Sequence, residues 1–337
     1  MTEEIAVSLG TSNTSIFMPG SGIVLCEPSV IAYNGDPAAR KVKAVGKEAA
    51  AMEGRTPERV TVVRPLEEGL ISNADACKDM LTAFLMKVIV PGVFGPKIRA
   101  IVGIPVGLSM EERRIYDDVF VKAGCTHAIM IENALLSAIG AGMPVHTHKN
   151  GLIVDIGGGM TEIAVVSLGT IVNGCSMNVG GDMMDKALRD FIMLKYDIDL
   201  GFDTIKRIKS RIGSLYSNDK RSLIVSGTDT ATRSPANIRV RATDVMDALM
   251  PYYLRIADAV DSILQVLPPE AAADIGSDGV HVTGGAGKIL GLDKLFFGKL
   301  NLPVVIHDEG EYATVLGGGK LLENSVLLGE VLGTRVK

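Results

Sequence analysis

The sequence predicts an α/β protein built from two similar halves, and three observations support this. At 337 residues, the chain exceeds the size that one hydrophobic core usually serves, so two domains are expected. Short apolar runs alternate with amphipathic helical segments, which is typical of α/β domains. A strand, glycine turn, strand pattern occurs near the N-terminus and again near the middle of the chain. The repeat indicates two related halves that face each other.

The second of these patterns is the clearer one and spans residues 151–166, GLIVDIGGGMTEIAVV. An apolar run ends near Asp155, the second glycine loop (residues 157–160) follows, and a β-branched run begins at Thr161. Consecutive glycines let the backbone turn where a Cβ would clash, and they leave N–H groups bare to meet an anion such as phosphate. A neighbouring carboxylate suits a metal ion held together with the phosphates. Taken alone, the stretch fits a structural hairpin equally well.

Its partner spans residues 4–18, EIAVSLGTSNTSIFM, with the first glycine loop (residues 10–13) between two apolar runs. Two such loops predict that the halves bind the phosphates of one nucleotide from opposite sides. The predicted phosphate-binding residues are Gly10, Thr11, Ser12 and Asn13 in the first half, and Gly157, Gly158, Gly159, Met160 and Thr161 in the second.

Composition excludes several classes of protein. Hydrophobic residues make up 47% of the chain and its mean hydropathy is +0.28, which indicates a globular protein. A net charge of -5 and the absence of Trp argue against a nucleic-acid partner. The four cysteines have no C-x-x-C spacing, which favours a reducing compartment. With no signal-peptide pattern and no apolar run of roughly 18 residues, a cytoplasmic location is expected.

The first third of the chain is predicted to be mainly strand. The β-branched runs of residues 5–33 indicate three or four strands of a meander. Residues 34–64 are more charged and indicate an insertion, with a helix over 44–52 and irregular structure over 55–64. A helix is expected over residues 75–86 from the spacing of their apolar side chains.

The middle of the chain alternates strands with helices. A buried strand is expected over residues 98–104, and Ser109 with Glu112 three residues later predicts a capping box that starts a helix at Met110. A further strand over residues 128–131 runs directly into a helix. This alternation favours a largely parallel sheet.

The last third continues the α/β pattern. Helices are expected over residues 182–195 and 202–212, a strand pair over 222–241, and a long helix over 242–266 stopped by Pro268 and Pro269. A strand over 279–283 then leads into the third glycine loop (residues 284–287). A helix over 289–300, a strand over 304–306 and a helix over 313–328 complete the chain.

In their order and spacing, several motifs resemble the actin, sugar-kinase and heat-shock-chaperone superfamily, and most closely the bacterial actins of the MreB and MamK kind. The motifs are LGTSNT, EPSVIAY, RPLEEGLIS, IPVGLSMEERR, IENALLSAIGAGMPV, VDIGGGMTEIAVVSLG, VGGDMMDKAL and VTGGAGKILGLDKL. The last of these resembles the family's adenosine-binding turn, so the resemblance assigns Gly284, Gly285, Ala286 and Gly287 to the nucleotide site.

The resemblance implies an actin-like fold: two RNase-H-like domains, each with a small subdomain, hinged around ATP and Mg²⁺. The implied core of domain I comprises residues 1–33, 65–145 and 313–337, with its small subdomain at 34–64. The implied core of domain II comprises residues 146–181 and 257–312, with its small subdomain at 182–256.

The chain departs from the family at two positions near the metal and the attacking water. Ser8 stands where the family has an Asp, so Asp155 is left as the Mg²⁺ site and metal affinity should fall. Asn133 stands where a Glu or Gln positions the attacking water, and Asn cannot act as a base. Glu132, just before it, is the alternative source of the missing carboxylate.

Two further departures lie elsewhere in the site. Met160 replaces a Thr that the resemblance links to hydrolysis, although Thr161 remains. Lys206 replaces the ribose-contacting Glu, whereas Lys209 is kept. With the glycines intact, nucleotide binding is expected to survive better than hydrolysis.

The resemblance therefore implies a bacterial actin that binds ATP and assembles head to tail into filaments for cell shape or cargo positioning, with slow or lost hydrolysis. The alternative is a non-polymerising actin-like adaptor of a membrane or microcompartment machine. The resemblance also implies that an apolar loop containing Val93 and Phe94 contacts a membrane surface, while an ordinary buried connection is the other reading of that loop.

Overall fold

The computed structural model describes residues 2–35, 37–39, 41–54, 59–89 and 97–333. The strands are β1 (Thr2–Leu9), β2 (Asn13–Met18), β3 (Gly22–Pro28), β4 (Ile31–Asn34), β5 (Val42–Val45), β6 (Val60–Val63), β7 (Leu66–Glu67), β8 (Leu70–Ile71), β9 (Lys97–Ile104), β10 (Cys125–Glu132), β11 (Gly151–Ile156), β12 (Thr161–Ser167), β13 (Thr170–Met177), β14 (Ile198–Asp199), β15 (Ser222–Asp229), β16 (Pro235–Arg241), β17 (Val280–Thr283) and β18 (Val304–Ile306). The helices are α1 (Lys47–Ala50), α2 (Ala74–Val88), α3 (Met110–Ala123), α4 (Asn133–Gly140), α5 (Gly181–Tyr196), α6 (Phe202–Ile212), α7 (Ala242–Gln265), α8 (Pro269–Asp278), α9 (Leu292–Leu300), α10 (Ala313–Glu323) and α11 (Ser325–Val331).

Two large sheets repeat one strand arrangement. The first has the order β10-β9-β1-β2-β3 and the second the order β13-β12-β11-β17-β18. In each, an antiparallel meander (β1-β2-β3 or β11-β12-β13) is extended by two parallel strands. The predicted pair of similar halves is thus present. The sheets are mixed rather than largely parallel, because each half begins with hairpins and only later strands arrive through helical crossovers.

The duplication holds at the level of single residues. Ser8 lies opposite Ser15 in the first hairpin, as Asp155 lies opposite Glu162 in the second. Each hairpin closes with the same backbone hydrogen bond, from Gly10 N to the oxygen of Asn13 at 3.1 Å and from Gly157 N to the oxygen of Met160 at 2.9 Å. The two glycine loops are therefore equivalent turns, and Ser8 is the first-half counterpart of Asp155.

The core follows from strand alternation. Ile5 and Val7 of β1 pack with α2 and α3 on one face of the first sheet, whereas Ala6 between them joins a cluster on the other face. That second cluster holds side chains of α4 and α10 together with Ile153 of β11 and Val166 of β12. Helices α4 and α10 therefore lie between the two sheets.

Two small sheets, β5-β4-β6 and β14-β15-β16, are separate from the large ones. The predicted fourth strand of the meander pairs instead with β5 and β6. The predicted helix over residues 44–52 is wrong in its first part, because the β-branched Val42–Val45 is a strand and only Lys47–Ala50 is helical. Within the stretch expected to be irregular, Val60–Val63 is the strand β6.

The C-terminal prediction of a single helix over residues 313–328 is also wrong. Asn324 separates α10 from α11, and its side chain accepts a hydrogen bond from Leu327 N at 3.1 Å as the N-cap of α11. The predicted strand of residues 128–131 is longer, and β13 and α8 were not predicted. The capping box at Ser109 and Glu112 is confirmed.

The membrane prediction concerns a segment outside the described residues. Val93 and Phe94 belong to residues 90–96, which the structure does not describe. Within the described ranges, no helix is both long and apolar enough for a membrane crossing.

Candidate functional site

The two glycine loops meet where the halves face each other. A Cβ placed on Gly158 would overlap the hydroxyl of Ser12, and one placed on Gly159 would overlap Thr11 Oγ1 and Gly69 N. Only glycine permits this approach between the loops. The sequence-predicted loops are thus brought together by the fold.

Each loop is held by its carbonyl groups. In the first, Ser29 Oγ donates to the oxygen of Gly10 at 2.6 Å, and Ser29 N donates to the oxygen of Ser12 at 3.0 Å. In the second, the carbonyls of Gly157 and Gly158 accept from the first amides of α5, at 2.9 and 2.8 Å.

Unlike the carbonyl groups, several backbone N–H groups of the loops are left without a hydrogen-bond partner. In the described part of the chain, the N–H groups of Thr11, Ser12, Gly158 and Gly159 have no hydrogen-bond partner within the protein. Backbone N–H groups are obligatory donors, so four of them on two facing turns are available to bind an anion with several oxygens. A chain of phosphates fits this description.

Asp155 provides the negative charge beside the loops. Its two carboxylate oxygens accept hydrogen bonds from Thr283 Oγ1 at 3.0 Å and Ser137 Oγ at 3.2 Å. Burial raises the pKa of Asp155 to about 6, which the two hydroxyl donors only partly offset. At neutral pH the group is therefore mostly ionised and suited to a metal ion. Its counterpart Ser8 offers no charge.

The hydrogen bonds of Asp155 continue into the helices between the sheets. Ser137 belongs to α4, and its hydroxyl also lies 2.8 Å from Thr314 Oγ1 of α10. The carboxylate is thereby connected to both helices through one serine.

Glu162 is a site residue that the sequence reasoning missed. Its side chain is 4% exposed and accepts hydrogen bonds from Val106 N at 2.7 Å and Asn133 Nδ2 at 2.9 Å. Burial, reinforced by the charge of Asp155, raises the pKa of Glu162 to about 8. Since both donors belong to the first half and Glu162 to β12, this side chain joins the halves. The available signal was a single charged residue in a strand that is otherwise uncharged and mostly apolar.

Asn133 and Glu132 are adjacent in sequence, but their side chains have different hydrogen-bond partners. Asn133, the first residue of α4, binds Glu162, and its Oδ1 lies against Gly103 at the end of β9. Glu132 instead accepts a hydrogen bond from Arg113 Nη2 of α3 at 2.6 Å. Asn133 is therefore in the hydrogen-bond network of the site, whereas the carboxylate of Glu132 is occupied by an ion pair.

Lys206 and Lys209, two of the predicted nucleotide-binding residues, both belong to α6. Lys209 Nζ donates to the oxygen of Gly181 at 2.9 Å and pairs with the buried Asp185 at 2.6 Å. Lys206, one turn earlier in α6, is exposed and has no hydrogen bond or ion pair among the described residues. It lies near enough to Glu53 of the first half to help lower the pKa of that carboxyl, after the hydrogen bond from Arg64.

The third glycine loop lies beside the second loop and Asp155. A Cβ on Gly284 would overlap the backbone of Ile156 and crowd Asp155, so this loop borders the same carboxylate. Gly285–Lys288 forms a 3₁₀ turn whose Ala286 oxygen accepts from Tyr253 Oη at 2.8 Å. The three predicted loops therefore converge on one place.

Comparison with known proteins agrees with this geometry. The family model described as MreB/Mbl protein matches residues 2–330. The chain belongs to the MreB/Mbl family. The cell shape-determining protein MreB of Escherichia coli strain K12 is 37% identical over 325 residues, which cover 96% of this chain and 94% of that protein.

Two solved structures share the fold. MreB5 of Spiroplasma citri bound to AMPPNP superposes with a TM-score of 0.90 at 30% identity, covering 99% of both chains. A MamK double helical filament gives a TM-score of 0.82 at 18% identity, covering 95% of this chain and 99% of that one. The expected actin-like fold is thus confirmed, and this MreB/Mbl-family chain is a bacterial actin homologue of the cytoskeleton.

Proposed function

We propose that this chain binds ATP between its two glycine loops and polymerises head to tail into filaments, with slow or lost hydrolysis. The observation that carries the proposal is the set of four amide N–H groups, two from each loop, that have no partner within the described residues where the loops approach each other. The relative MreB5 was solved with AMPPNP, and MamK was solved as a double helical filament. The predicted site residues and the division into two domains with small subdomains are part of this proposal.

Mg²⁺ is the metal we propose for the site, and the donors present fit it weakly. Asp155 is the carboxylate that would hold the ion or its waters, while Ser8 adds only a hydroxyl. Glu162 already uses both oxygens within the protein. If bound, Mg²⁺ would supply positive charge beside the phosphates, with Asp155 as the carboxylate that holds it.

Slow hydrolysis follows from the groups available near the phosphates. Asn133 can orient a water molecule through its Oδ1, but it cannot remove a proton from that water. The thioether of Met160 lies against Gly69 and offers no hydrogen-bond donor of its own. Nucleotide would then act mainly as a structural ligand that sets the shape of the subunit.

Polymerisation is the proposed consequence of that shape. A head-to-tail contact whose rotation does not close produces an open filament in which one interface repeats. A role in cell shape, as in the name of the E. coli relative, or in cargo positioning fits such a filament.

A membrane surface is a second proposed partner. This proposal rests on the family resemblance and on the apolar residues Val93 and Phe94. Co-sedimentation with lipid vesicles, compared between the wild type and a Phe94→Glu variant, tests it.

Pelleting and negative-stain microscopy with ATP, with AMPPNP and without nucleotide test the main proposal, run beside a phosphate-release assay. We expect filaments with either nucleotide, in similar amounts, and little phosphate release. Filaments that form and decay only with ATP would contradict slow hydrolysis. Nucleotide binding without any filaments would favour the adaptor function instead.

A variant of the second glycine loop supplies the control. Gly158→Ala places a methyl group into Ser12 and should prevent both binding and polymerisation. Gly276→Ala is the matched substitution, because a Cβ on Gly276 meets nothing within 4 Å. It should behave as the wild type.

A further inference from the structure

The short hairpin formed by β7 and β8 has a two-residue turn, Glu68 and Gly69, which we call the clasp turn. Both residues have positive φ, 49° at Glu68 and 83° at Gly69, and the flanking pairs are Leu66 with Ile71 and Glu67 with Leu70. This is the geometry of a tight hairpin turn that Asn and Gly adopt most readily. Glu at its first position is unfavourable for the turn itself.

Gly69 contacts both glycine loops. Its N–H donates to Thr11 Oγ1 of the first loop at 2.9 Å. A Cβ on Gly69 would overlap the thioether of Met160 in the second loop, so the Met160 side chain packs directly on its Cα. The oxygen of Gly69 accepts from the buried Tyr116 of α3 at 3.2 Å, which fixes the turn to the first half.

Glu68 reaches across to the second half. Its carboxylate accepts a hydrogen bond from Asn178 Nδ2 at 2.8 Å, and Asn178 lies between β13 and α5. A residue that is unfavourable in its own turn thus makes a direct bond between the halves. The bond lies beside the place where Gly69 bridges the two loops.

We propose that the clasp turn holds the two halves together over the glycine loops and sets the rate at which bound nucleotide leaves. This inference rests on the proposed nucleotide site. The loops leave no room even for a Cβ on Gly158 or Gly159, so we infer that a phosphate passes between them only when the halves separate. Separation breaks the Glu68–Asn178 bond and withdraws Met160 from Gly69, so both contacts oppose release.

The test is the release rate of a fluorescent ATP analogue, chased with excess unlabelled ATP in a stopped-flow instrument. Glu68→Gly removes the cross-half bond while giving the turn a residue that it accepts more readily. Asn178→Asp puts a second carboxylate opposite Glu68. Glu68→Gln keeps an acceptor oxygen for Asn178, and Glu67→Gln makes the same charge change one residue away.

We expect Glu68→Gly and Asn178→Asp to release nucleotide about threefold to tenfold faster, the range for losing one exposed hydrogen bond to a charged group. Glu68→Gln should stay within about twofold of the wild type, because a neutral acceptor still makes the bond. Glu67→Gln should release at the wild-type rate. The melting temperature of Glu68→Gly should be no lower than that of the wild type, which separates the clasp from simple loss of stability.

Wild-type release rates in both Glu68→Gly and Asn178→Asp would overturn the clasp and leave the proposed nucleotide site intact. A rate in Glu68→Gln as fast as in Glu68→Gly would also overturn it, since the bond would then not matter. If the wild type binds no nucleotide at all, the proposed function fails and the clasp fails with it.

Discussion

Asp155 and Glu162 face each other across the second hairpin, and both carry protons more readily than ordinary carboxyl groups. Burial is the main cause for each, and the charge of Asp155 adds to the effect on Glu162. A carboxyl whose pKa is raised in the folded state contributes stability at low pH and loses it as pH rises through the folded-state pKa. For Glu162 the loss falls between its ordinary value near 4.5 and about 8.

Glu162→Gln should remove this loss of stability with rising pH, because Gln has no carboxyl group to ionise. The amide oxygen of Gln can accept from Val106 N, and Asn133 can turn its own amide to meet the new NH₂ group. Relative to the wild type, the variant should gain on the order of 3 kcal/mol in unfolding free energy between pH 5 and pH 8. Urea denaturation without nucleotide at both pH values measures it. Parallel pH profiles for the two proteins would show that Glu162 does not titrate in this range.

The substitutions at Ser8 and Asn133, relative to the family, predict how the rate of ATP hydrolysis can be raised. Ser8→Asp with Asn133→Glu adds a metal-binding carboxylate and a base, so phosphate release should rise about tenfold or more. A phosphate-release assay with purified protein measures the rate. Glu132→Gln is the control: its carboxylate pairs with Arg113, and the residual rate should not change. Loss of that rate would instead identify Glu132 as the missing carboxylate.

At the scale of elements, helices α4 and α10 cross at very short range. A Cβ on Gly317 would overlap the carbonyl of Leu136, and one on Gly140 would overlap the carbonyl of Ala313. Lys320 of α10 also donates to the last carbonyls of α4, at 3.0 and 2.9 Å. The two helices that connect the halves are therefore packed backbone to backbone.

Gly317→Ala should destabilise the fold by about 1 to 3 kcal/mol, because the added methyl group has to displace backbone. Gly276→Ala in α8 meets open space and should stabilise by about 0.5 to 1 kcal/mol, since Ala is the better helix former. Thermal and urea denaturation of the pair measure the difference. Equal stability of the two variants would mean that the crossing tolerates expansion.

Elements with a strong local signal were predictable from sequence. The capping box at Ser109 and the apolar runs around the second glycine loop gave correct boundaries, because those signals come from neighbouring residues. β5 and α1 were misread because each has only four residues, too short for a period to appear. The break at Asn324 was missed because no Gly or Pro marks it.

In the candidate site, the glycine loops were predictable from sequence, whereas the partners of the acidic residues were not. The first two glycine loops were predicted from the residues and the third from the family resemblance, and all three lie together in the structure. Glu162 was missed because its role depends on Val106 and Asn133, which are distant in sequence. The engagement of Glu132 by Arg113 likewise depends on how β10 packs beside α3, which no local pattern encodes.

At the scale of the whole molecule, the proposed nucleotide site between the halves should couple ligand binding to stability. A nucleotide present at a hundred times its Kd stabilises the folded protein by about 2.7 kcal/mol. Melting temperatures by differential scanning fluorimetry should therefore rise by a few degrees with ATP. Gly158→Ala should abolish the rise, whereas Gly276→Ala should keep it. If ATP does not change the melting temperature of the wild type, the proposed nucleotide site between the halves would be wrong.

Helix α10 lies far from β1 and β2 in the sequence yet packs on both strands. Gly318 and Gly319 rest against Ala6 of β1 and Phe17 of β2, and Val315 shares a cluster with Ile101 of β9. During synthesis the first sheet is therefore made long before the helix that covers one of its apolar faces, and that face stays bare until α10 has left the ribosome. We expect nascent chains of this protein to need chaperone protection until α10 has emerged, and chains that stop before residue 313 to aggregate rather than reach a partly folded state.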